Sequence, residues 1–324
     1  MRFRSALMLA VLYLTTGLAA RASYVPDAGP YKLDAGPYAV QTIKVLILRD
    51  DARGKDLPLR ISHPAGRGPF PVMVWSHGAW GCKDDYRVLT EHWVRHGYVV
   101  IQPSHSDSRA LGVKVGDPGS FRGWQSRPAD VPFILASRAR LEQREPTLAG
   151  KLDEKRIGVG GHSFGANTAQ LIGGAKAYLA TGEKSFADPR VKAVTILSGQ
   201  GPGEMLRETS WENFATPLLV MTGSRDGPTR TGRPAEWRKR PYELSPAGDK
   251  YLVWVEGLDH GYGGVPGVSF SPRNQKNEDH VQLTKVVTLA FWDACLYDSA
   301  EARSYLRSEQ LTAFSKGALK LEHK

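Results

Sequence analysis

The feature that most constrains the fold of this chain is an alternation of continuous apolar runs with segments of helical character. The apolar run "FPVMVWSHG" precedes the helical segment "DDYRVLTEHWVRHG", and "KRIGVGGHS" precedes "GANTAQLIGGAKAYLA". Strands that alternate with helices predict an α/β fold, with a mostly parallel central sheet and helices on both faces. Further strands are predicted at "YAVQTIKVLILRD", "LPLRISHP", "YVVIQPSH", "VKAVTILSG", "TPLLVMTGS" and "KYLVWVEG", and further helices at 129–143 and 281–297.

The composition is that of a folded protein, and nothing in the sequence divides it. Hydrophobic residues make up 41% of the 324 positions and charged residues 23%, which is close to ordinary globular usage. No internal repeat, low-complexity tract or linker interrupts the alternation of strands and helices, so we expect one domain over residues 23–324. Only residues 200–215 separate two of the predicted strands. That spacing leaves no room for a large cap domain and predicts an open site.

The first 22 residues have the pattern of a secretory signal peptide. Arg2 and Arg4 precede an apolar run that is too short to span a bilayer, and an Ala-Arg-Ala ending predicts cleavage near Ala22. We therefore expect a secreted or periplasmic protein without a stable membrane anchor, a prediction that amino-terminal sequencing of the mature protein tests. The segment holds three arginines and no acidic residue, so its removal lowers the formal net charge from +10 to +7.

A Gly-x-Ser-x-Gly pattern lies between a predicted strand and a predicted helix. Its members are Gly161, Ser163 and Gly165. In a strand-turn-helix context the glycines permit a sharp turn that lifts the serine hydroxyl above the sheet. The alternative is that Ser163 is only a polar residue in a tight turn. The context favours a nucleophile.

A serine hydroxyl needs a base to accept its proton and an acid to orient that base. Where such turns occur, the chain order is serine, acid, histidine. Only His260, His280 and His323 follow Ser163, and His260 comes directly after a predicted strand. His280 opens the last predicted helix and His323 lies in a polar tail, so His260 is the expected base.

Three carboxylates compete for the role of the acid. Asp226 follows the strand "TPLLVMTGS", at the carboxyl end where ligands meet sheets of this kind. Glu204 follows the preceding strand and is an alternative. Asp259 adjoins His260 in the chain, and neighbouring side chains of an extended loop diverge, so we expect it to cap the loop. Asp226 is the preferred acid.

Acyl transfer also needs donors for the developing oxyanion. The backbone N–H of Phe164, directly after the nucleophile, is one expected donor. The second is expected from the loop after "FPVMVWSHG", where the N–H of Ala79 is in the equivalent position. His77 and His162 flank the site and are expected to support it without touching substrate.

Taken together, "SHGAWG", "GHSFGA", "MTGSRD" and "DHGYGG" resemble, in that order, the α/β-hydrolase branch that contains platelet-activating-factor acetylhydrolase-like and dienelactone-hydrolase-like serine esterases. The resemblance runs through most of residues 38–300. It implies the α/β-hydrolase fold, the triad Ser163, Asp226 and His260, and an oxyanion hole of the Ala79 and Phe164 amides. Dienelactone hydrolases proper carry cysteine at the nucleophile position, so lactone opening is not implied.

The function expected from this resemblance is a carboxylic-ester hydrolase that works through an acyl-enzyme and prefers short or small acyl groups. Trp80 and Tyr262 are possible pocket residues, as members of an aromatic rim that also includes Trp124, Trp211 and Trp237. The alternatives are a polyester or lipid ester hydrolase, a serine peptidase of the same fold, and a catalytically silent ligand-binding protein. The expected partner is a small or polymeric ester, and the oligomeric state is open.

No cofactor or metal is expected, because no set of His, Cys, Asp and Glu has metal-ligand spacing. The two cysteines, Cys82 and Cys295, are equally compatible with a bridge and with separate buried thiols. The cluster "TRTGRPAEWRKRPY" is strongly basic. It is not accompanied by a nucleic-acid motif, so we expect a solvated loop and helix face and no nucleic-acid partner.

Overall fold

The computed structural model describes residues 30–114, 116–117, 123–227, 232–267 and 275–324. The predicted signal peptide at 1–22 lies outside these residues, as does the side chain of Trp124.

A twisted sheet forms the centre of the molecule, with nine strands in the order β1-β2-β4-β3-β5-β8-β9-β10-β11. All neighbours from β4 to β10 are parallel, and the antiparallel pairs are at the two edges. The predicted α/β fold with a mostly parallel sheet is thereby confirmed. The strands are β1 (Val40–Asp50), β2 (Lys55–Pro64), β3 (Phe70–Ser76), β4 (Val99–Pro103), β5 (Leu152–His162), β6 (Ala177–Leu179), β7 (Gly182–Lys184), β8 (Val191–Leu197), β9 (Leu218–Arg225), β10 (Lys250–Asp259) and β11 (Leu319–His323).

Helices cover both faces of this sheet, because its central strands are apolar on both sides. Along β3, Met73 joins the core cluster under one layer of helices, and Val74 joins the cluster under the other. No helix of the described residues is long and apolar enough to cross a membrane. The helices are α1 (Arg87–Arg95), α2 (Gly123–Ala136), α3 (Arg138–Arg144), α4 (Phe164–Gly173), α5 (Arg240–Glu243), α6 (Glu278–Leu296), α7 (Ala300–Leu306) and α8 (Gln310–Phe314).

The described part of the chain differs from the expected elements in several places, and the short helices α5, α7 and α8 were not expected. The helix expected through "GANTAQLIGGAKAYLA" ends at Gly173, since Gly174 adopts a φ of 129°, and β6 then pairs with β7. The helix expected at 129–143 is two helices separated at Ser137. The chain also ends in a strand, β11, that pairs with β10.

The topology brings the predicted site residues to one edge of the sheet. Parallel strands end at the same edge, and β3, β5, β9 and β10 lead respectively into the loop 77–81, Ser163, Asp226 and His260. Between β8 and β9, residues 198–217 contain one 3-10 turn, Glu208–Trp211. This short connection matches the expectation that no cap domain follows β8.

Candidate active site

Ser163 lies in a strained turn between β5 and α4. Its backbone has a φ of 54° and a ψ of −116°, a left-handed conformation that non-glycine residues rarely adopt. The flanking glycines make the turn possible. A Cβ on Gly165 would lie 2.0 Å from the carbonyl oxygen of Ser76, and one on Gly161 would lie 2.4 Å from the backbone of Gly165. Only glycine fits at these two positions.

His260 joins Ser163 to Asp226 through its two ring nitrogens. Nε2 lies 3.0 Å from the Ser163 hydroxyl oxygen, and Nδ1 lies 2.7 Å from Oδ1 of Asp226. A carboxylate can only accept, so Nδ1 carries the proton and Nε2 is free to accept from the serine. The structure therefore brings the three predicted residues into contact in the order Ser163, His260, Asp226.

The Asp226 carboxylate is fully buried and surrounded by donors. Oδ2 accepts hydrogen bonds from the hydroxyls of Ser198 and, at 2.8 Å, of Thr222. Burial raises the pKa of Asp226, but the charges of Arg238 and His260 outweigh burial and bring it to about 2. The acid is therefore ionised throughout the range in which a neutral histidine can act as a base.

The competing carboxylates lie elsewhere. Glu204 is exposed. Asp259 accepts from the backbone N–H of Gly261 at 2.8 Å and of Gln275 at 3.0 Å, which caps the loop that carries His260. Directly after β8 lies Ser198, whose hydroxyl donates to Asp226 at the end of β9.

A buried salt bridge that was not predicted from the sequence supports the loop that carries Ala79. Arg127 has no exposed surface; it donates to the carbonyl oxygens of His77 at 2.5 Å and Gly78 at 3.1 Å, and it pairs with Asp107 at 2.6 Å. Its guanidinium also lies 4.6 Å from the ring centroid of Phe164. Arg127 therefore contacts both segments that supply the expected oxyanion donors.

The other expected donor, the N–H of Phe164, belongs to the first residue of α4. The first amides of a helix have no acceptor within the helix, so this group is available to an oxyanion.

A chain of hydrogen bonds links the Ala79 loop to the histidine loop. The N–H of Gly78 donates to the Tyr86 hydroxyl at 3.0 Å, and that hydroxyl lies 2.9 Å from Nδ1 of His162. Nε2 of His162 lies 2.9 Å from the carbonyl oxygen of His260 and must be its donor. Burial and the neighbouring His260 lower the pKa of His162 well below its usual value, so this ring stays neutral.

Under the same loop lies a second group of serine, histidine and aspartate. His105 contacts Ser76 Oγ at 2.9 Å through Nε2 and Asp130 at 2.7 Å through Nδ1. All three side chains are fully buried, so no substrate reaches them. His105 also donates its backbone N–H to His77 at 3.0 Å. The group supports the end of β3.

Two of the aromatic residues expected at the rim lie in the interior. Tyr262 has no exposed surface; its hydroxyl donates to the carbonyl oxygen of Met221 and accepts from the N–H of Ser198 at 2.9 Å. The expectation that Tyr262 lines the pocket is therefore wrong. Its hydroxyl instead links the end of β8 to the backbone of β9. Trp211 is likewise buried.

Trp80 and Trp237 remain partly exposed. Trp80 follows Ala79 in the chain and has a φ of 57°. Trp237 donates its indole N–H to the carbonyl oxygen of Pro202 at 2.8 Å.

The two cysteines are not bridged: Cys82 is buried, Cys295 is partly buried, and both are free thiols. Among the residues that the structure describes, no three His, Cys, Asp or Glu side chains are grouped so as to hold a metal ion.

The expectation that the basic cluster is a solvated face holds for only part of the cluster. Arg233 is exposed, but Arg238 is 4% exposed and contacts Asp226. Arg238 can be buried because the carboxylate of Asp226 neutralises its charge and carbonyl oxygens accept its hydrogen bonds.

The parallel sheet, the turn at Ser163 and the chain order of the site residues define the class of protein by its fold: this chain has the α/β-hydrolase fold. A dienelactone hydrolase structure from Klebsiella pneumoniae, itself assigned provisionally, superposes with a TM-score of 0.57 over 78% of this chain and 98% of that chain, at 16% identity. That likeness supports the fold.

Within this class, the chlorophyllase family model matches residues 31–177, which is less than half of the chain. Chlorophyllase-1 of Arabidopsis thaliana is 26% identical over 164 residues, which cover 50% of this chain and 44% of that protein. A protein of Schizosaccharomyces pombe, provisionally named a phospholipase A2, is 30% identical over 76 residues, which cover 24% and 16%. The chain thus spans less than half the length of either relative.

Proposed function

We propose that the protein is a serine ester hydrolase that works through an acyl-enzyme. The observation that carries the proposal is the continuous contact from Ser163 through His260 to Asp226, at 3.0 Å and 2.7 Å. A hydroxyl within reach of a neutral imidazole, itself oriented by a buried carboxylate, is what nucleophilic attack on an acyl carbon requires.

In this mechanism Ser163 Oγ attacks the carbonyl carbon while His260 Nε2 takes its proton. The negative charge on the carbonyl oxygen is stabilised by the N–H groups of Phe164 and Ala79. The imidazolium then protonates the leaving alcohol. Water, activated by the same imidazole, releases the acid and restores the serine. Asp226 stabilises the imidazolium during both halves and is not itself protonated.

An ester is the favoured substrate class because the similar proteins are named for hydrolases, and the chlorophyllase and dienelactone hydrolase likenesses support ester cleavage. A short or small acyl group is part of the proposal. So is export of the chain before it acts, which follows from the pattern of residues 1–22.

The test is turnover of p-nitrophenyl acetate and butyrate by the wild type, by Ser163→Ala and by Ser185→Ala, a matched change at an exposed serine outside the site. We expect Ser163→Ala to lower kcat/KM by about 1,000-fold or more and Ser185→Ala to change it little. Full turnover by Ser163→Ala would refute the mechanism, and a wild type inactive on esters but active on p-nitroanilides would favour a peptidase.

A further inference from the structure

Arg238 is the member of the basic cluster that reaches the catalytic centre. Its Nε lies 3.1 Å from Oδ1 of Asp226 and donates to the carbonyl oxygen of the same residue at 2.7 Å. Its Nη1 donates to the carbonyl oxygens of Ser198 at 2.5 Å and Gly199 at 3.3 Å. One buried guanidinium thus ties the end of β8 to the end of β9, where the acid lies.

Arg238 and His260 share one carboxylate oxygen. His260 Nδ1 lies 2.7 Å from Oδ1 of Asp226, the atom that Arg238 also faces. Nη2 of Arg238 approaches Nδ1 of His260 to 3.5 Å. Both nitrogens carry hydrogens, so this approach is not a hydrogen bond; it places a permanent positive charge beside a ring that must become positive during catalysis.

Opposite charges this close attract one another, most strongly where water is excluded. Arg238 is 4% exposed and Asp226 is fully buried. The charge of Arg238 stabilises the ionised form of Asp226: burial raises the pKa of this carboxyl, and the charge of Arg238 is the largest of the influences that lower it to about 2. Loss of this charge should therefore raise the pKa of Asp226, and a protonated Asp226 would no longer hold His260 in the orientation and tautomer that the reaction needs.

We propose that Arg238 is a positioning residue of the triad, which fixes the Asp226 carboxylate and, by its charge, extends the activity of the enzyme to lower pH. The inference rests on the proposed function, because it assigns a role to Arg238 in the same reaction.

The other groups that face Asp226 and His260 do not supply this permanent charge. His162, whose ring centroid lies 4.7 Å from that of His260, stays neutral because burial lowers its pKa. Burial and the charge of Asp226 raise the pKa of Tyr262 well above its usual value, so it stays protonated. Asp259 directs its carboxylate to backbone N–H groups. Among the described residues in contact with the imidazole, Arg238 is the cation.

A merely structural Arg238 would give a different result from a positioning one. Loss of its hydrogen bonds to carbonyl oxygens would lower activity by a similar factor at every pH. Loss of its charge would instead move the acid limb of the pH profile. Arg238→Gln removes the charge and keeps amide donors, whereas Arg238→Lys keeps the charge and loses the fork of donors.

The experiment measures kcat/KM for p-nitrophenyl acetate, and the rate of Ser163 labelling by a fluorophosphonate, from pH 4 to pH 9. We expect Arg238→Gln to move the acid limb of both profiles to higher pH by about one unit or more. Arg238→Lys should lower the plateau and leave the limb near its wild-type position. The matched control, Arg233→Gln, changes an exposed arginine of the same cluster and should alter neither.

The inference is overturned if Arg238→Gln lowers the plateau without moving the limb, or if both variants move it equally. Arg238→Met, also neutral, gives the same test should Arg238→Gln fail to fold. The labelling profile separates this inference from the proposed function. If Ser163 reacts but no ester is cleaved, the substrate class fails and the test of Arg238 stands; if Ser163 does not react in the wild type, the proposed function itself fails.

Discussion

At the scale of a single residue, Asp226 carries a full negative charge although none of its surface is exposed. Four donors make this possible. The hydroxyls of Ser198 and Thr222 donate to one carboxylate oxygen, and the N–H groups of His260 and Arg238 face the other. Because a carboxylate accepts only, it selects the tautomer of His260 in which Nε2 can take the proton of the serine.

Asp226→Asn should therefore abolish most of the activity while leaving the fold intact. The amide can donate to Nδ1 of His260 and so favour the wrong tautomer. We expect kcat/KM for p-nitrophenyl acetate to fall about 1,000-fold or more. Glu204→Gln, the matched change at the competing and exposed carboxylate, should leave it within about twofold, as is usual for surface changes. An equal loss in Glu204→Gln would contradict the assignment of the acid.

The sequence could predict Ser163, His260 and Asp226 because each follows an apolar run and carries a functional group that the chemistry requires. It could not predict Arg238, which stands among basic residues that are exposed, such as Arg233, or partly exposed, such as Lys239, since nothing local marks which of them turns inward. The same applies to Tyr262: its position after His260 suggested a rim, whereas its hydroxyl partners, Met221 and Ser198, lie 41 and 64 residues away in the chain.

At the scale of elements, the loop 77–81 depends on α2 for its shape. Arg127 reaches from that helix to the carbonyl oxygens of His77 and Gly78, and Asp107 neutralises it. Fixing these carbonyls fixes the direction in which the next amide, that of Ala79, points. The loop is thus preorganised, which matters because oxyanion donors act only when they already face the developing charge.

Arg127→Met should lower kcat more than it raises KM. A donor that is lost altogether costs about 100-fold to 1,000-fold in kcat, so a loosened loop should cost about 10-fold to 100-fold. Steady-state kinetics on p-nitrophenyl butyrate measure this, with Arg140→Met, an exposed arginine on α3, as the control. A rise in KM at unchanged kcat would place Arg127 in substrate binding and not in the support of the loop.

The strands were predictable because β3, β8, β9 and the second half of β5 are largely buried on both faces and therefore carry few polar residues. The ends of the helices were less predictable from the sequence. Gly173 and Gly174 stop α4 well before its apolar pattern ends, because Gly174 takes a φ of 129° there. The edge strand β11 escaped detection, since only Leu319 of its five residues is buried.

Across the whole molecule, the sheet brings residues that are distant in the chain together. Ser163 and His260 are 97 positions apart, yet β5 and β10 end at the same edge, separated by β8 and β9. Unfolding should therefore remove the reactivity of the serine, because an isolated serine hydroxyl is a poor nucleophile.

The activation of Ser163 by the fold is measured most directly by covalent labelling of the folded protein with a fluorophosphonate, followed by tryptic digestion and mass spectrometry. Residues 157–176 form one tryptic peptide, and Ser163 is its only serine. We predict a single label on this peptide in the native protein and none in His260→Ala or in heat-denatured protein. A native protein that stays unlabelled, or that reacts equally well after denaturation, would contradict the claim that Ser163 is activated by the fold.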